Sequence, residues 1–182
     1  TLPLCEVAAE FTGDKAYKGI DLCSGSGAIA LYIANECKNA EVYAMELYEG
    51  AKKYLRENIK TYGEGRVKLI EGDVLKEPPE NIPQLQFIVS NPPYILSRDM
   101  ATLQEEVKKE PTTALDGGED GMDFYKKIIE YSTGHFNDGV NIIFEIGYDE
   151  GEKIRSVASS FGLLCEIRRD LNGCDRVALA FL

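Results

Sequence analysis

Three acidic residues stand where short apolar runs end. Asp21 lies in the run Tyr17 to Leu22, Glu46 closes Val42 to Glu46, and Asp73 follows Val67 to Glu71 within Glu71-Gly72-Asp73-Val74. The stretch Asp21-Leu22-Cys23-Ser24-Gly25-Ser26-Gly27-Ala28 also leads from a strand pattern into a helical one. Glycines there let a ligand approach the backbone, and a helix N-terminus offers free amide donors. A Gly-x-Gly alone is more often a plain tight turn. Glu46, 25 residues beyond Asp21, sits near the spacing at which an acid binds ribose hydroxyls. Each acid alone reads as a solvated strand end or a helix cap, but three in order read better as one ligand crevice. An acid just ahead of the glycines would repel a pyrophosphate, and no Walker lysine follows the loop. A ligand with a cationic end suits it. S-adenosylmethionine, with an ammonium, a sulfonium and no phosphate, is favoured over NAD or ATP.

A second stretch, Ser90-Asn91-Pro92-Pro93-Tyr94-Ile95, follows the apolar run Leu85 to Val89. Proline cannot donate a ladder hydrogen bond, and it restricts the residue before it. The strand must stop there with an amide side chain, two carbonyls and a tyrosine held in place. That suits one problem in chemistry. The nitrogen of a planar amide or aromatic amine is a poor nucleophile because its lone pair is delocalised. The Asn91 side-chain oxygen and the Pro92 carbonyl can grip its two N–H bonds, and Tyr94 offers a flat wall. This is positioning and preorganised electrostatics rather than strong base catalysis. The bland alternative is a Pro-Pro turn that merely ends a strand.

The elements needed to position these groups are legible in the alternation along the chain. Residues 17–22, 42–46, 67–71, 86–90 and 140–146 read as strands, and 28–36, 49–61 and 123–133 as helices. A further helix spans about 150–161 and stops at Gly162, and Leu4, Val7, Ala8 and Phe11 suggest a helix leading in. Runs 163–167 and 176–181 flank Asn172-Gly173, an antiparallel hairpin signal. The pattern predicts an α/β fold with a mostly parallel, doubly wound sheet and a C-terminal hairpin at one edge. Pro-rich Glu77-Pro78-Pro79 reads as a connection only.

With 182 residues, 44% hydrophobic and 28% charged, the chain is of ordinary globular composition, and one domain over 1–182 is expected. Its formal net charge is −11. The basic pairs Lys52-Lys53, Lys108-Lys109, Lys126-Lys127 and Arg168-Arg169 are scattered among acids, which disfavours nucleic acid as partner. No run is long enough to cross a bilayer, so no membrane role is expected. Cys5, Cys23, Cys37, Cys165 and Cys174 form no C-x-x-C pair, so neither a disulfide framework nor a metal site is suggested and a reducing cytoplasm fits. His135 is the lone histidine, in a polar stretch, and reads as a loop or helix-end residue; triads and histidine metal sites lose their commonest member.

At this point the chain resembles the HemK/PrmC protein-glutamine methyltransferases. The resemblance rests on residues 21–30 and 88–95, on Glu110-Pro111 with Ala114-Leu115, and on Gly117-Gly118, Asp120-Gly121 and Tyr125. Glu145-Ile146-Gly147 and residues 170–177 carry it to the C-terminus. The combination is more specific than Asn-Pro-Pro-Tyr alone, which adenine-amine methyltransferases share. The resemblance implies a Rossmann-like, seven-stranded class I methyltransferase fold using S-adenosylmethionine. It implies as acceptor the glutamine of the Gly-Gly-Gln motif in peptide chain release factors. Carried over by position, Asp21, Gly25 and Gly27 flank the methionine part, Glu46 the ribose and Asp73 the adenine. Cys23, Leu47, Gly72, Val74 and Asn91 complete the expected cofactor set. Asn91, Pro92, Pro93 and Tyr94 are the expected substrate contacts, with Asn91, Pro92 and Tyr94 catalytic. Gln86 stands where the family often has Asp, Glu46 where Asp is commoner, and Glu150 near a usual Gln. The family's helical N-terminal recognition domain is expected to lie outside this chain. A ribosomal-protein glutamine, a nucleic-acid adenine, or a non-catalytic S-adenosylmethionine-binding role remain as alternatives.

Overall fold

The computed structural model describes residues 1–76, 82–102, 115–134 and 139–182. Glu77-Pro78-Pro79, Lys108-Lys109, Glu110-Pro111, Ala114 and His135 lie outside the described residues. The elements run α1 (Leu2–Thr12), β1 (Lys18–Leu22), α2 (Ala28–Glu36), β2 (Glu41–Glu46), α3 (Glu49–Tyr62), β3 (Val67–Glu71) and β4 (Phe87–Ser90). A 3-10 helix (Ser97–Thr102) follows, then α4 (Asp123–Gly134), β5 (Asn141–Glu145), α5 (Gly151–Ser160), β6 (Leu164–Arg169) and β7 (Asp175–Phe181).

The strands form one seven-stranded sheet in the order β3-β2-β1-β4-β5-β7-β6. The first five are parallel, and β7 lies antiparallel between β5 and the edge strand β6. The strands alternate their apolar residues between two faces. Ile20, Leu22, Ile88, Ile142 and Phe144 pack with Tyr125, Ile128, Ile129 and Ile154 of α4 and α5. Val42, Ala44, Val89 and Ile143 pack instead with Leu4, Ala8, Ile29, Ile33 and Leu55 of α1, α2 and α3. Helices on both faces explain why β4 is buried at every position. The order reverses between β1 and β4, so the loops after these strands flank the crevice where open α/β sheets take ligands.

Candidate active site

The turn after β1 is shaped by residues with positive φ. Cys23 has φ 60, Gly25 φ 56 and Gly27 φ 84. A left-handed cysteine costs on the order of 1 kcal/mol, which glycine avoids. The two glycines do different work. The space a Gly25 side chain would fill is open, whereas a Gly27 side chain would run into Leu55 of α3. Gly25 therefore leaves a cradle at the sheet end, and Gly27 lets α2 and α3 approach. The Cys23 thiol is pushed far above its ordinary range by loss of solvent and then by the charges of Glu46 and Asp21, so it stays protonated.

Asp21 is fully buried. One oxygen accepts the Ala30 N–H of α2 at 3.1 Å, and the other, Oδ1, has no hydrogen-bond partner among the described residues. Burial lifts its carboxyl from the ordinary 3.8 to about 8; the Ala30 N–H pulls it back and the charge of Glu46 raises it further. Asp21 is thus a neutral acid at pH ~7, held under the glycine turn rather than standing open in it.

Glu46, buried at the end of β2, reaches that turn. Its Oε2 accepts the Gly25 N–H at 2.8 Å, while Oε1 accepts the N–H groups of Leu47 at 2.9 Å and Tyr48 at 2.8 Å. The longer side chain lets one carboxylate grip both the glycine turn and the start of α3. Gly72 donates to the Glu46 carbonyl at 3.3 Å and packs against the Met45 sulfur, while Val74 is a core residue. Asp73 caps its own turn through the Leu75 N–H at 3.0 Å and pairs with Lys76 at 3.4 Å. Beside them, buried Lys52 bridges Glu49 at 3.0 Å and Glu71 at 2.7 Å, fixing the start of α3 against the end of β3. Leu47 is 40% exposed at the rim.

Across the reversal, β4 ends at Ser90, whose hydroxyl donates to the Leu22 carbonyl at 2.6 Å. That bond ties the start of the Asn-Pro-Pro-Tyr segment to the start of the glycine turn. Pro92 and Pro93 are buried, Asn91 and Tyr94 half-buried, and Tyr94 packs against the α4/α5-side core. The Asn91 amide donates to the Thr1 hydroxyl at 3.4 Å. The structure therefore brings the expected residues to one end of neighbouring strands in two groups: acids and glycines over β1, β2 and β3, and uncharged acceptors after β4. No cluster of His, Cys, Asp or Glu suited to a metal occurs among the described residues. Sequence reasoning missed Ser90, whose signal was its place as the last polar residue of an otherwise apolar strand. It also gave no role to Gly117, Gly121 or Glu150.

The methyltransferase small domain family model matches residues 7–119. The release factor glutamine methyltransferase of Clostridium acetobutylicum is 38% identical over 97% of this chain and 64% of its own length. The chain thus spans a little under two thirds of that relative. Among solved structures, a methyltransferase from Pyrococcus furiosus aligns with a TM-score of 0.72 and 22% identity, over 100% of this chain and 82% of the other. A release-factor-specific protein-(glutamine-N5) methyltransferase from Alicyclobacillus acidocaldarius aligns with 0.57 and 23%, over 98% and 88%. These likenesses bear out the expected fold, a Rossmann-like class I methyltransferase sheet.

Proposed function

The chain belongs to the methyltransferase small domain family, and from that premise we propose that it methylates the side-chain amide nitrogen of a glutamine. The acceptor is the glutamine of the Gly-Gly-Gln motif in peptide chain release factors, and the methyl donor is S-adenosylmethionine. The name of the Clostridium acetobutylicum relative, 38% identical over 97% of this chain, supports that acceptor. The residues fit the donor: a partnerless buried oxygen on Asp21 suits a cation, and open space over Gly25 suits close approach. When bound, this cofactor supplies an electrophilic methyl group on a sulfonium.

The chain's own residues do the rest. Asp21 holds the cofactor's ammonium, Glu46 its ribose hydroxyls, and Asp73 with Val74 flanks the adenine. Asn91 and the Pro92 carbonyl accept the two N–H bonds of the glutamine amide, drawing its lone pair out of conjugation and toward the methyl. Tyr94 walls the planar group. The surplus proton leaves after transfer, when the nitrogen is strongly acidic, so no base of matched pKa is needed. The observation that supports this reading is the Ser90–Leu22 hydrogen bond of 2.6 Å, which ties the start of the Asn-Pro-Pro-Tyr segment to the start of the glycine turn.

The test is transfer of labelled methyl from S-adenosylmethionine to a release factor and to its Gln→Ala variant in the Gly-Gly-Gln motif. Label on the first and none on the second is expected. Label that persists in the variant, or appears only on ribosomal protein or nucleic acid, overturns the assignment.

A further inference from the structure

The acceptors Asn91 and Pro92 lie beyond the last residue of β4, in a segment with no regular structure of its own. Something else must hold them to the tolerance that positioning chemistry demands. The structure shows a second piece of chain laid along this segment. The Ile95 N–H donates to the Leu115 carbonyl at 3.0 Å, and the Gly117 N–H returns to the Ile95 carbonyl at 2.8 Å. The Ser97 N–H then donates to the Gly118 carbonyl at 3.0 Å. Ile95 and Asp116 pair as an isolated parallel bridge. The Asp116 carboxylate clips it by accepting the Ser97 hydroxyl at 2.7 Å and the Gly118 N–H at 3.0 Å.

Two glycines bring this piece against the acceptor backbone. A side chain at Gly117 would lie 2.7 Å from the Tyr94 α-carbon and 2.8 Å from the Pro93 carbonyl oxygen. Its φ is not in the left-handed region, so the demand for glycine there is contact alone. Gly121, with φ +75, faces the Tyr94 carbonyl oxygen at 2.8 Å and Glu150 Oε1 at 3.3 Å by the same measure. Glu150 is only 5% exposed. Its other oxygen accepts the Gly147 N–H at 2.7 Å and lies 3.5 Å from the Tyr125 hydroxyl, which donates to the Glu145 carbonyl at 2.9 Å. The acceptor segment is thus packed against residues 115–121, and these against a buried carboxylate tied to α4 and the end of β5.

We propose that residues 115–121, backed by Glu150, are a positioning brace that sets the Asn91 and Pro92 acceptors, with Gly117 and Glu150 as its positioning residues. The inference rests on the methyl-transfer reading above. None of the hydrogen bonds and close contacts given above for these residues involves the turn after β1, so the brace governs the acceptor side of the reaction and leaves cofactor affinity alone.

The experiment measures kcat, KM for the release factor, cofactor affinity by calorimetry and melting temperature for four variants. Gly117→Ala forces the two backbones apart by about 0.7 Å, the gap between 2.7 Å and the 3.4 Å at which ordinary contact begins; kcat should fall by about tenfold or more, because small misplacements are costly in positioning catalysis. Cofactor affinity should stay within about threefold, as expected for a site with no shared partners. Glu150→Gln keeps a hydrogen-bond acceptor for Gly147 and should recover most of the kcat that Glu150→Ala loses. Asp116→Ala, outside the core, serves if the other variants fold poorly, and should lower kcat in the same way. Unchanged kcat in folded Gly117→Ala or Asp116→Ala overturns the brace, as does a loss shared equally by cofactor affinity. If the wild type transfers no methyl to the release factor, the function reading fails on its own. The brace is then judged by amide exchange in Asp116→Ala: faster exchange confined to Ile95, Ser97 and Gly117 supports it, and unchanged protection there overturns it.

Discussion

Replacing Asp21 with Asn should abolish a proton release that accompanies cofactor binding. The carboxyl sits at about 8 in the ligand-free chain because burial strips its solvent and Glu46 repels its charge, with only the Ala30 N–H opposing them. A bound ammonium or sulfonium reverses the balance by favouring the ionised form. At pH ~7 a group with that pKa is about 90% protonated, so binding should release about 0.9 proton per ligand. Affinity should improve about tenfold from pH ~6 to pH ~7 and level off above pH ~8, since one pKa unit is worth about 1.4 kcal/mol. Calorimetric titration of S-adenosylhomocysteine in two buffers of different ionisation enthalpy reads the proton count directly. A wild-type count near zero at pH ~7, or the same count in Asp21→Asn, would refute the reasoning.

The same shift carries a sign for stability. A carboxyl whose folded pKa is raised contributes stability below its ordinary value of 3.8 and loses it as pH climbs to about 8. The loss is roughly 6 kcal/mol at most. Ligand-free wild type should therefore fall in melting temperature across that window more steeply than Asp21→Asn. A parallel pair of curves would place the titrating group elsewhere.

The other two predictions concern the crevice on either side of β1. Asn91→Ala should lower methyl transfer strongly while cofactor affinity changes by no more than about threefold, and Asn91→Asp, which keeps an acceptor oxygen, should retain measurable activity that Ala loses. Full activity in Asn91→Ala would reduce the segment to a strand-ending turn. Glu46→Ala should weaken S-adenosyl ligands by about 1–3 kcal/mol in calorimetry, because it strands the N–H groups of Gly25, Leu47 and Tyr48 as well as the ribose. Glu46→Gln should fall between the two.

Much of the frame was readable because periodicity is a local signal. The helix over residues 28–36 and the strand over 67–71 match to the residue, and the other elements differ by a few residues at their ends. The Ser97–Thr102 3-10 helix was not foreseen, since Ser-Arg-Asp-Met-Ala-Thr has no apolar period to mark it. The acids stand at strand ends as read, but their hydrogen-bond surroundings were not legible. Asp21 is buried because β1 alternates faces, and on the α2 face one of its oxygens accepts the Ala30 N–H. Glu46 holding Gly25 depends on side-chain reach between two strands. The contact of Gly117 with Pro93 and Tyr94 joins segments more than 20 residues apart, which no local pattern encodes.

The two halves of the crevice are held by different physics, and this separates what pH can change from what it cannot. Over β1, β2 and β3 the groups are carboxylates, and the charge of Asp21 among them depends on its burial and on Glu46. Past β4 they are an amide, a proline carbonyl and a tyrosine ring, set by proline restriction, the Ser90–Leu22 bond and the contact with Gly117. The titratable side chains of the brace are Asp116, Glu119, Asp120 and Glu150. Asp120 is held below its ordinary value by Lys126 and by the Met122 N–H. Asp116 is held below its ordinary value by the Ser97 hydroxyl and the Gly118 N–H, and so stays charged at neutral pH. Glu150 is raised by burial, against the Gly147 N–H, but in either protonation state it keeps an acceptor for that N–H. Through pH ~6 to ~8, proton-linked changes should therefore enter through Asp21 and appear in cofactor affinity. The rate of transfer from the saturated complex should stay level, with no inflection near the histidine value of ~6.5. A sigmoidal kcat profile in that range, at saturating cofactor, would mean that an ionising group takes part in the transfer step and that preorganised acceptors alone do not account for it.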